Sequence, residues 1–225
     1  MSYIGLVIIT LILGFGTQAY INSSYKKYSQ VSIETGITGA QAARKMLDDH
    51  GLQSVQIRCV SGELTDHYDP SSRTVNLSES IYNGVNVSAT AVACHECGHA
   101  VQHATGYVPM NIRSALVPVA NFGSSAWLIL LLIGMFLQIT GLVYLALIVY
   151  GFAILFQVVT LPVEFNASHR AMDYIRGGNF GVALSKQTTR GALTVLRAAA
   201  LTYVAAALTS VMQLLYYLSI FTDNR

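Results

Sequence analysis

The sequence predicts a mainly α-helical integral membrane protein with about four transmembrane helices and a small α+β cytoplasmic segment that carries a zincin-like HExxH helix. Hydrophobic residues make up 53% of the chain and charged residues 11%, whereas ordinary soluble domains are roughly 25% charged. The mean hydropathy is +0.49. Four long apolar stretches and one short motif between His95 and His99 support the rest of the prediction.

Four stretches are long enough to cross a bilayer, because a helix needs about 20 mostly apolar residues to span the hydrocarbon core. They lie at about 3–21, 116–137, 141–161 and 193–221. The first stretch could also be a secretory signal peptide. No Lys or Arg precedes it and no clear cleavage pattern follows it, which favours an uncleaved anchor. We therefore expect a multi-pass protein of the cell membrane.

Positive charge near the apolar stretches predicts their orientation. Lys26 and Lys27 follow the first stretch directly, so the segment 22–114 is expected on the cytoplasmic side. A short connection joins the second and third stretches into a hairpin and returns the chain to that side. The segment 162–192 is then expected on the same face as 22–114, and the whole chain, 1–225, is predicted to be a single domain.

The segment 22–114 is predicted to contain two helices. Thr38 and Gln41 have the spacing of a capping box, and the Ala-rich run after them is stopped by Gly51. A second helix is expected from near Ser88 to just before Gly106. The Ala-rich and Val-rich surface of this helix is interrupted by His95, Glu96, His99 and His103.

Two short strands are predicted in the same segment, which makes it α+β. Apolar and polar residues alternate around 55–59 and again around 75–77, and a turn containing 68–70 separates the two runs. The strand at 74–78 is interpreted as a sheet edge with which an extended peptide could pair.

His95-Glu96-Cys97-Gly98-His99 is the H-E-x-x-H pattern of zinc hydrolases, placed on a predicted helix. Histidines four residues apart differ by about 40° around a helix, so both imidazoles can reach one tetrahedral zinc ion. Glu96 lies about 60° from His99 and can act as general base and then general acid for a zinc-activated water. The bare pattern also occurs by chance. Three His and one Glu within nine residues of an otherwise apolar helix favour a metal site.

A catalytic zinc site needs a third protein ligand, and Glu164 is the best candidate. A glutamate at a membrane boundary is costly to desolvate unless something pairs with it, and zinc would do so. The alternative is that Glu164 lies in the wet headgroup zone. Ser168, one turn later, could orient a ligand. His103 is about 12 Å along the helix from His95 and is expected to support the site or lie at the surface.

Cys94 and Cys97 form a C-x-x-C pattern, which leaves a dithiol oxidoreductase open as a hypothesis. That chemistry needs a preceding strand and a βαβ context, and neither is evident. Small buried thiols are the favoured interpretation. With Cys59 the chain has three cysteines, which suits a reducing compartment better than a disulfide framework.

At these stretches the chain resembles the bacterial membrane neutral zinc metallopeptidases of the YugP type, and more distantly HtpX and the prenyl-protein proteases. The resemblance covers nearly the whole chain and is carried by residues 64–70, 95–99, 102–107, 113–118 and 161–168. It implies a zinc-dependent endopeptidase in which Glu164 has the role of the glutamate in the E-x-x-A-D motif of the HtpX relatives. Ser168 stands where those relatives have the aspartate.

Three further residues are weaker candidates. His67 lies in the predicted turn and could line the cleft or simply be solvated. His169 and Arg170 follow Glu164 by about one turn and could stabilise an oxyanion.

Together these observations predict a membrane-anchored zinc endopeptidase with His95, His99 and Glu164 as ligands and Glu96 as general base and acid. Its expected partners are the lipid bilayer and a protein or peptide substrate, itself membrane-associated. Nucleic acid is not expected, because the net charge is +2 without a basic run. The alternative function is a non-catalytic membrane scaffold stabilised by zinc.

Overall fold

The structure is a computed structural model that describes residues 2–223, with all their side chains except those at 124, 222 and 223. Met1, Asn224 and Arg225, which the predicted single domain includes, lie outside the described residues. Helices dominate the described chain, and three short strands form a small mixed sheet. The elements are α1 (Tyr3–Ser29), α2 (Gly39–Asp49), β1 (Gln56–Val60), β2 (His67–Asp69), β3 (Thr74–Ser78), α3 (Glu79–Tyr82), α4 (Val87–Ala104), α5 (Val108–Phe136), α6 (Thr140–Arg176) and α7 (Lys186–Asp223).

Four of the described helices, α1, α5, α6 and α7, are long and apolar enough to cross a membrane. The most apolar 18-residue window of each has a mean hydropathy between 1.7 and 2.4. Each predicted apolar stretch overlaps one of them, but the helices are longer than the stretches. Backbone hydrogen bonding continues into polar sequence after hydropathy has fallen, so that α6, for example, ends at Arg176 instead of near 161.

The described chain forms two compact units, and the boundaries between them fall within α1, directly before α5, within α6 and within α7. The apolar unit contains the described residues up to Thr17, Val108–Pro162, and the described residues from Thr202 onward. The polar unit contains Gln18–Tyr107 and Val163–Leu201. That the whole chain acts as one functional unit stays a prediction.

Within the apolar unit, α5 and α6 form the predicted hairpin. Gln138 takes a positive φ of 55° in the short connection between the two helices. Gly134 lets the helices approach closely, because an added Cβ would lie 2.9 Å from the backbone nitrogen of Val143. Buried residues beside this contact are Leu131, Val143 and Ala146.

The sheet of the polar unit has the strand order β1-β3-β2, and β3 is its central strand. β1 runs parallel to β3, whereas β2 runs antiparallel to it. The interpretation of 74–78 as a free edge is therefore wrong, because both sides of β3 are already hydrogen-bonded. The prediction of two strands around a turn containing 68–70 is also wrong in part, since His67–Asp69 is a strand. Three residues with one buried side chain, Tyr68, are too few to show an alternating pattern.

The two helices predicted in this segment are present, and their caps explain where they begin. Thr38 Oγ1 accepts a hydrogen bond from the Gln41 backbone N–H at 3.2 Å, and Gln41 Oε1 accepts one from the Thr38 backbone N–H at 2.8 Å. This is the predicted capping box of α2. At the start of α4, Asn86 Oδ1 accepts from the backbone N–H of Ala89 at 2.9 Å. The capped α4 packs against α2, and most of the residues of α4 are buried.

Glu34 connects the loop after α1 to the start of α7. Its carboxylate accepts hydrogen bonds from Thr188 Oγ1 at 2.7 Å and from the backbone N–H of Ser185 at 3.2 Å. Desolvation by burial raises the pKa of Glu34, but these hydrogen bonds outweigh it and lower the pKa to about 2. A depressed pKa means that the ionised carboxylate stabilises the fold above the ordinary pKa of 4.5, and that this stabilisation is lost as the pH falls through about 2.

We predict that Glu34→Gln lowers the melting temperature at pH 7 and that the difference from the unaltered protein shrinks as the pH falls from about 4.5 towards 2. Glu34 is exposed, so solvent screening keeps the shift small, about 2 °C. Thermal unfolding in detergent followed by circular dichroism measures it. Glu63→Gln, at another exposed glutamate, is the control. Equal melting temperatures of Glu34→Gln and Glu63→Gln at pH 7 would contradict the assigned role.

Candidate metal centre

Three side chains of the polar unit converge on one point. His95 and His99 come from α4 and Glu164 from α6, and one possible ligand atom from each lies within 4.8 Å of the other two. Glu164 Oε2 is 3.2 Å from His95 Nε2 and 3.7 Å from His99 Nε2. Donors bound to a tetrahedral zinc ion at 2.0–2.1 Å are about 3.3 Å apart, so these separations suit zinc. Two imidazoles and one carboxylate are also a donor set that zinc accepts.

Burial strengthens the case for a metal at this point. Only 3% of Glu164 is exposed, and a buried carboxylate is costly without a positive partner. Burial lowers the pKa of His99, but the Glu164 carboxylate, 3.7 Å from His99 Nε2, and the negative charge of Glu96 raise it by more, so the net shift is upward. The three side chains thus form an electronegative site that attracts a cation.

Gly98 sets how closely α4 and α6 approach. A Cβ added at Gly98 would lie 2.6 Å from the carbonyl oxygen of Ala167 and 3.1 Å from its Cα. Any side chain at this position would therefore have to push the backbone of α6 away. Gly98 lies between the two histidines and Ala167 lies three residues after Glu164, so the close contact sits beside the donor group. In the sequence, this close contact between α4 and α6 is indicated only by a single glycine inside a predicted helix.

Each histidine is held through its second ring nitrogen. Ser168 Oγ lies 3.1 Å from His95 Nδ1, which is the contact expected if Ser168 orients a ligand. Gln102 Oε1 lies 3.0 Å from His99 Nδ1. Both contacts leave Nε2 of the histidine directed at Glu164. Sequence reasoning missed Gln102, because its contacts depend on a helix that is distant in the sequence.

Glu96 is buried on α4 beside these ligands and is not part of the donor group. It is close enough to His99 for its charge to raise the pKa of that imidazole. A carboxylate next to the ligands but outside their set is placed to exchange protons with a bound substrate or water.

Cys94 and Cys97 are both completely buried in α4. Burial raises the pKa of Cys94 to about 12 and raises the pKa of Cys97 well above its usual value. Thiol–disulfide chemistry needs an accessible thiolate, so this environment disfavours the dithiol oxidoreductase hypothesis. The two side chains instead fill the packed face of the helix, and Cys97 Sγ donates to the carbonyl oxygen of Ala43 at 3.5 Å.

His103 and His67 lie outside the donor group. The Tyr68 hydroxyl is 2.8 Å from His103 Nδ1, which links β2 to the end of α4. His67 is exposed on β2, where its Nδ1 lies 2.8 Å from the carbonyl oxygen of Thr65. His103 is therefore not one of the three donors, and a supporting role for it at the site stays a prediction.

His169 and Arg170 also lie outside the donor group. His169 is exposed and its Nε2 is 3.2 Å from Asp173 Oδ2. Arg170 Nε donates to Asn166 Oδ1 at 2.8 Å. A role for either residue in stabilising an oxyanion stays a prediction.

Four apolar helices and a largely buried group of three possible metal ligands define the class of this molecule as a membrane protein with a candidate metal centre. The chain belongs to the family described as "Putative neutral zinc metallopeptidase", whose model matches residues 3–222. It is 45% identical over 225 residues to "Putative membrane protease YugP" of Bacillus subtilis (strain 168), an alignment that covers 100% of this chain and 99% of that protein. No solved structure matches the chain.

Proposed function

We propose that this chain is a zinc-dependent membrane endopeptidase in which His95, His99 and Glu164 bind the metal and Glu96 is the general base and acid. The main support is the number of donors. Within the described part of the chain, no fourth His, Cys, Asp or Glu joins the group of three. Catalytic zinc sites have three protein ligands and an open position, whereas structural sites close all four positions with protein atoms.

The chemistry divides between the metal and the protein. When bound, zinc polarises a carbonyl group and lowers the pKa of a bound water to about 7. Glu96 accepts the proton of the attacking water and then delivers it to the leaving amine. His95 and His99 present Nε2 to the centre because their Nδ1 atoms face Ser168 and Gln102. Burial of Glu96 keeps this proton transfer in a medium of low polarity, where electrostatic interactions are stronger.

The location and substrate belong to the same proposal. We infer that the polar unit, a zincin-like unit with a short mixed sheet and the H-E-x-x-H pattern on α4, lies on the cytoplasmic side. Lys26 and Lys27 at the end of α1 support this orientation. Glu164 follows directly after the apolar part of α6 in the sequence. A centre anchored in this way suits protein or peptide substrates that are themselves membrane-associated. The name of the Bacillus subtilis relative, "Putative membrane protease YugP", supports this choice.

The second candidate function is a non-catalytic scaffold in which zinc fastens α4 to α6. It needs the three ligands but gives no role to Glu96. The lack of a fourth donor in the described chain disfavours it.

Glu164→Ala tests the metal centre. We expect the unaltered protein to retain one zinc ion per chain after dialysis and the variant to lose it, because two histidines alone bind zinc weakly. Proteolysis of casein or of a membrane-protein substrate should disappear together with the metal. Elemental analysis and cleavage assays on the same detergent-purified samples measure both quantities.

Glu63→Ala is the control for this experiment, since Glu63 is an exposed glutamate outside the centre. It should keep both zinc and activity. Full zinc retention by Glu164→Ala would show that Glu164 is not a ligand. Zinc in the unaltered protein without cleavage of any unfolded or membrane substrate would favour the scaffold.

A further inference from the structure

Gln102 is a fully buried polar side chain, at 0% exposure, next to the candidate metal centre. Its Nε2 donates to the carbonyl oxygen of Val163 at 2.8 Å and to Asn166 Oδ1 at 3.0 Å. Its Oε1 lies 3.0 Å from His99 Nδ1. Both ends of the Gln102 amide are therefore hydrogen-bonded. Through them Gln102 links His99, in its own helix, to two oxygen atoms of α6.

The partners of Gln102 fix which end of its amide faces His99. A backbone carbonyl can only accept hydrogen bonds, so the NH₂ end of Gln102 must face Val163. The carbonyl end then faces His99 and can only accept. His99 Nδ1 must therefore carry a proton and donate it to Gln102 Oε1.

A second set of contacts fixes the same orientation independently. Arg170 Nε can only donate, and it points at Asn166 Oδ1 from 2.8 Å. The carbonyl end of Asn166 therefore faces both Arg170 and Gln102, and it requires a donor from Gln102. These contacts determine the direction of three hydrogen bonds. Arg170 donates to Asn166, Gln102 donates to Asn166, and His99 donates to Gln102.

We propose that Gln102 is a positioning residue that holds His99 in the tautomer with a protonated Nδ1 and a free Nε2, and that Asn166 and Arg170 hold Gln102 in place. Which imidazole nitrogen binds a metal is set by the hydrogen bond that the other nitrogen makes. This inference rests on the proposed function, because it concerns the nitrogen that His99 offers to zinc. It also gives Arg170 a role other than oxyanion stabilisation.

His95 provides a comparison within the same centre. Its Nδ1 faces the hydroxyl of Ser168, which can donate or accept and so adapts to either tautomer. Only the amide of Gln102 imposes a direction. We therefore expect the two histidines to respond separately when Gln102 is changed.

Gln102→Met keeps a side chain of similar length but removes both ends of the amide. We expect zinc to bind about 10- to 100-fold more weakly, measured by competition with a chromophoric chelator. In ¹⁵N-histidine spectra of the zinc-loaded protein, the hydrogen-bonded Nδ1 proton of His99 should be lost to exchange with water, while that of His95 remains. A merely structural role of Gln102 would lower the melting temperature without this selective loss.

Asn166 offers a matched pair of variants. Asn166→Asp keeps an oxygen that accepts from Gln102 and Arg170, whereas Asn166→Leu removes it. We expect Asn166→Asp to bind zinc at least as tightly as the unaltered protein and Asn166→Leu to bind it about 10-fold more weakly.

The outcomes separate this inference from the proposed function. If Gln102→Met binds zinc as tightly as the unaltered protein and keeps the His99 proton signal, the inference is overturned although the metal centre stands. If Gln102→Met does not fold, equal zinc affinities of the two Asn166 variants overturn it instead. Failure of the unaltered protein to bind zinc would refute the proposed function and this inference with it.

Discussion

Glu96→Gln is expected to retain zinc and to lose peptide cleavage almost completely. Glutamine has the shape of glutamate but cannot accept a proton, and Glu96 is not one of the three donors of the centre. General acid–base catalysis contributes about 10²- to 10⁴-fold to such reactions, so kcat should fall by that factor. Elemental analysis of zinc and a cleavage assay on the same purified protein measure the two effects together.

Glu79→Gln serves as the control, because Glu79 is an exposed glutamate on α3 and lies outside the donor group. It should leave zinc content and kcat unchanged. Undiminished cleavage by Glu96→Gln would remove Glu96 from the mechanism. Loss of zinc from Glu96→Gln would instead mean that Glu96 helps to build the centre, and its effect on kcat could not then be assigned to proton transfer.

Gly98→Ala is expected to weaken zinc binding although Gly98 offers no ligand atom. In an isolated helix this change is favourable by about 1 kcal/mol. Here the added Cβ would lie 2.6 Å from the carbonyl oxygen of Ala167, and backbone cannot move aside as a flexible side chain does. Overpacking of this kind costs about 1–3 kcal/mol. The displaced α6 would carry Glu164 away from His95 and His99, so we expect zinc affinity to fall about 10- to 100-fold.

Gly151→Ala is the matched control for this prediction. Gly151 also lies in a helix, and a Cβ added there would meet no heavy atom within 4 Å. It should preserve zinc affinity and leave stability unchanged or slightly higher. Chelator competition and thermal unfolding of the metal-free proteins give both quantities. An unchanged zinc affinity in Gly98→Ala would show that the contact with Ala167 does not position Glu164.

The features that the sequence predicted well are those encoded locally. The capping box at Thr38, the extent of α4 and the four long apolar helices each depend on residues that are contiguous in the sequence. Glu164 was found for a different reason. A carboxylate in apolar surroundings carries a free-energy cost that demands a partner, and that cost can be recognised without knowing the fold.

The features that the sequence did not predict depend on contacts between distant segments. β2 is too short to show a period, and the central position of β3 follows from pairing with strands on both sides. The role of Gln102 depends on Val163, which is 61 residues later in the chain. The importance of Gly98 appears only when α6 lies against it.

The distribution of the donors along the chain has a consequence for biosynthesis. His95 and Glu164 are 69 residues apart, and α5 and the part of α6 that precedes Glu164 lie between them in the sequence. A ribosome that has finished the H-E-x-x-H pattern must therefore still synthesise α5 and the apolar part of α6 before the third donor exists. Under the proposed function, a nascent or truncated chain that ends before α6 cannot digest its neighbours. Proteolytic activity would then begin only after the hairpin has been translated. The partly synthesised enzyme would therefore be inactive.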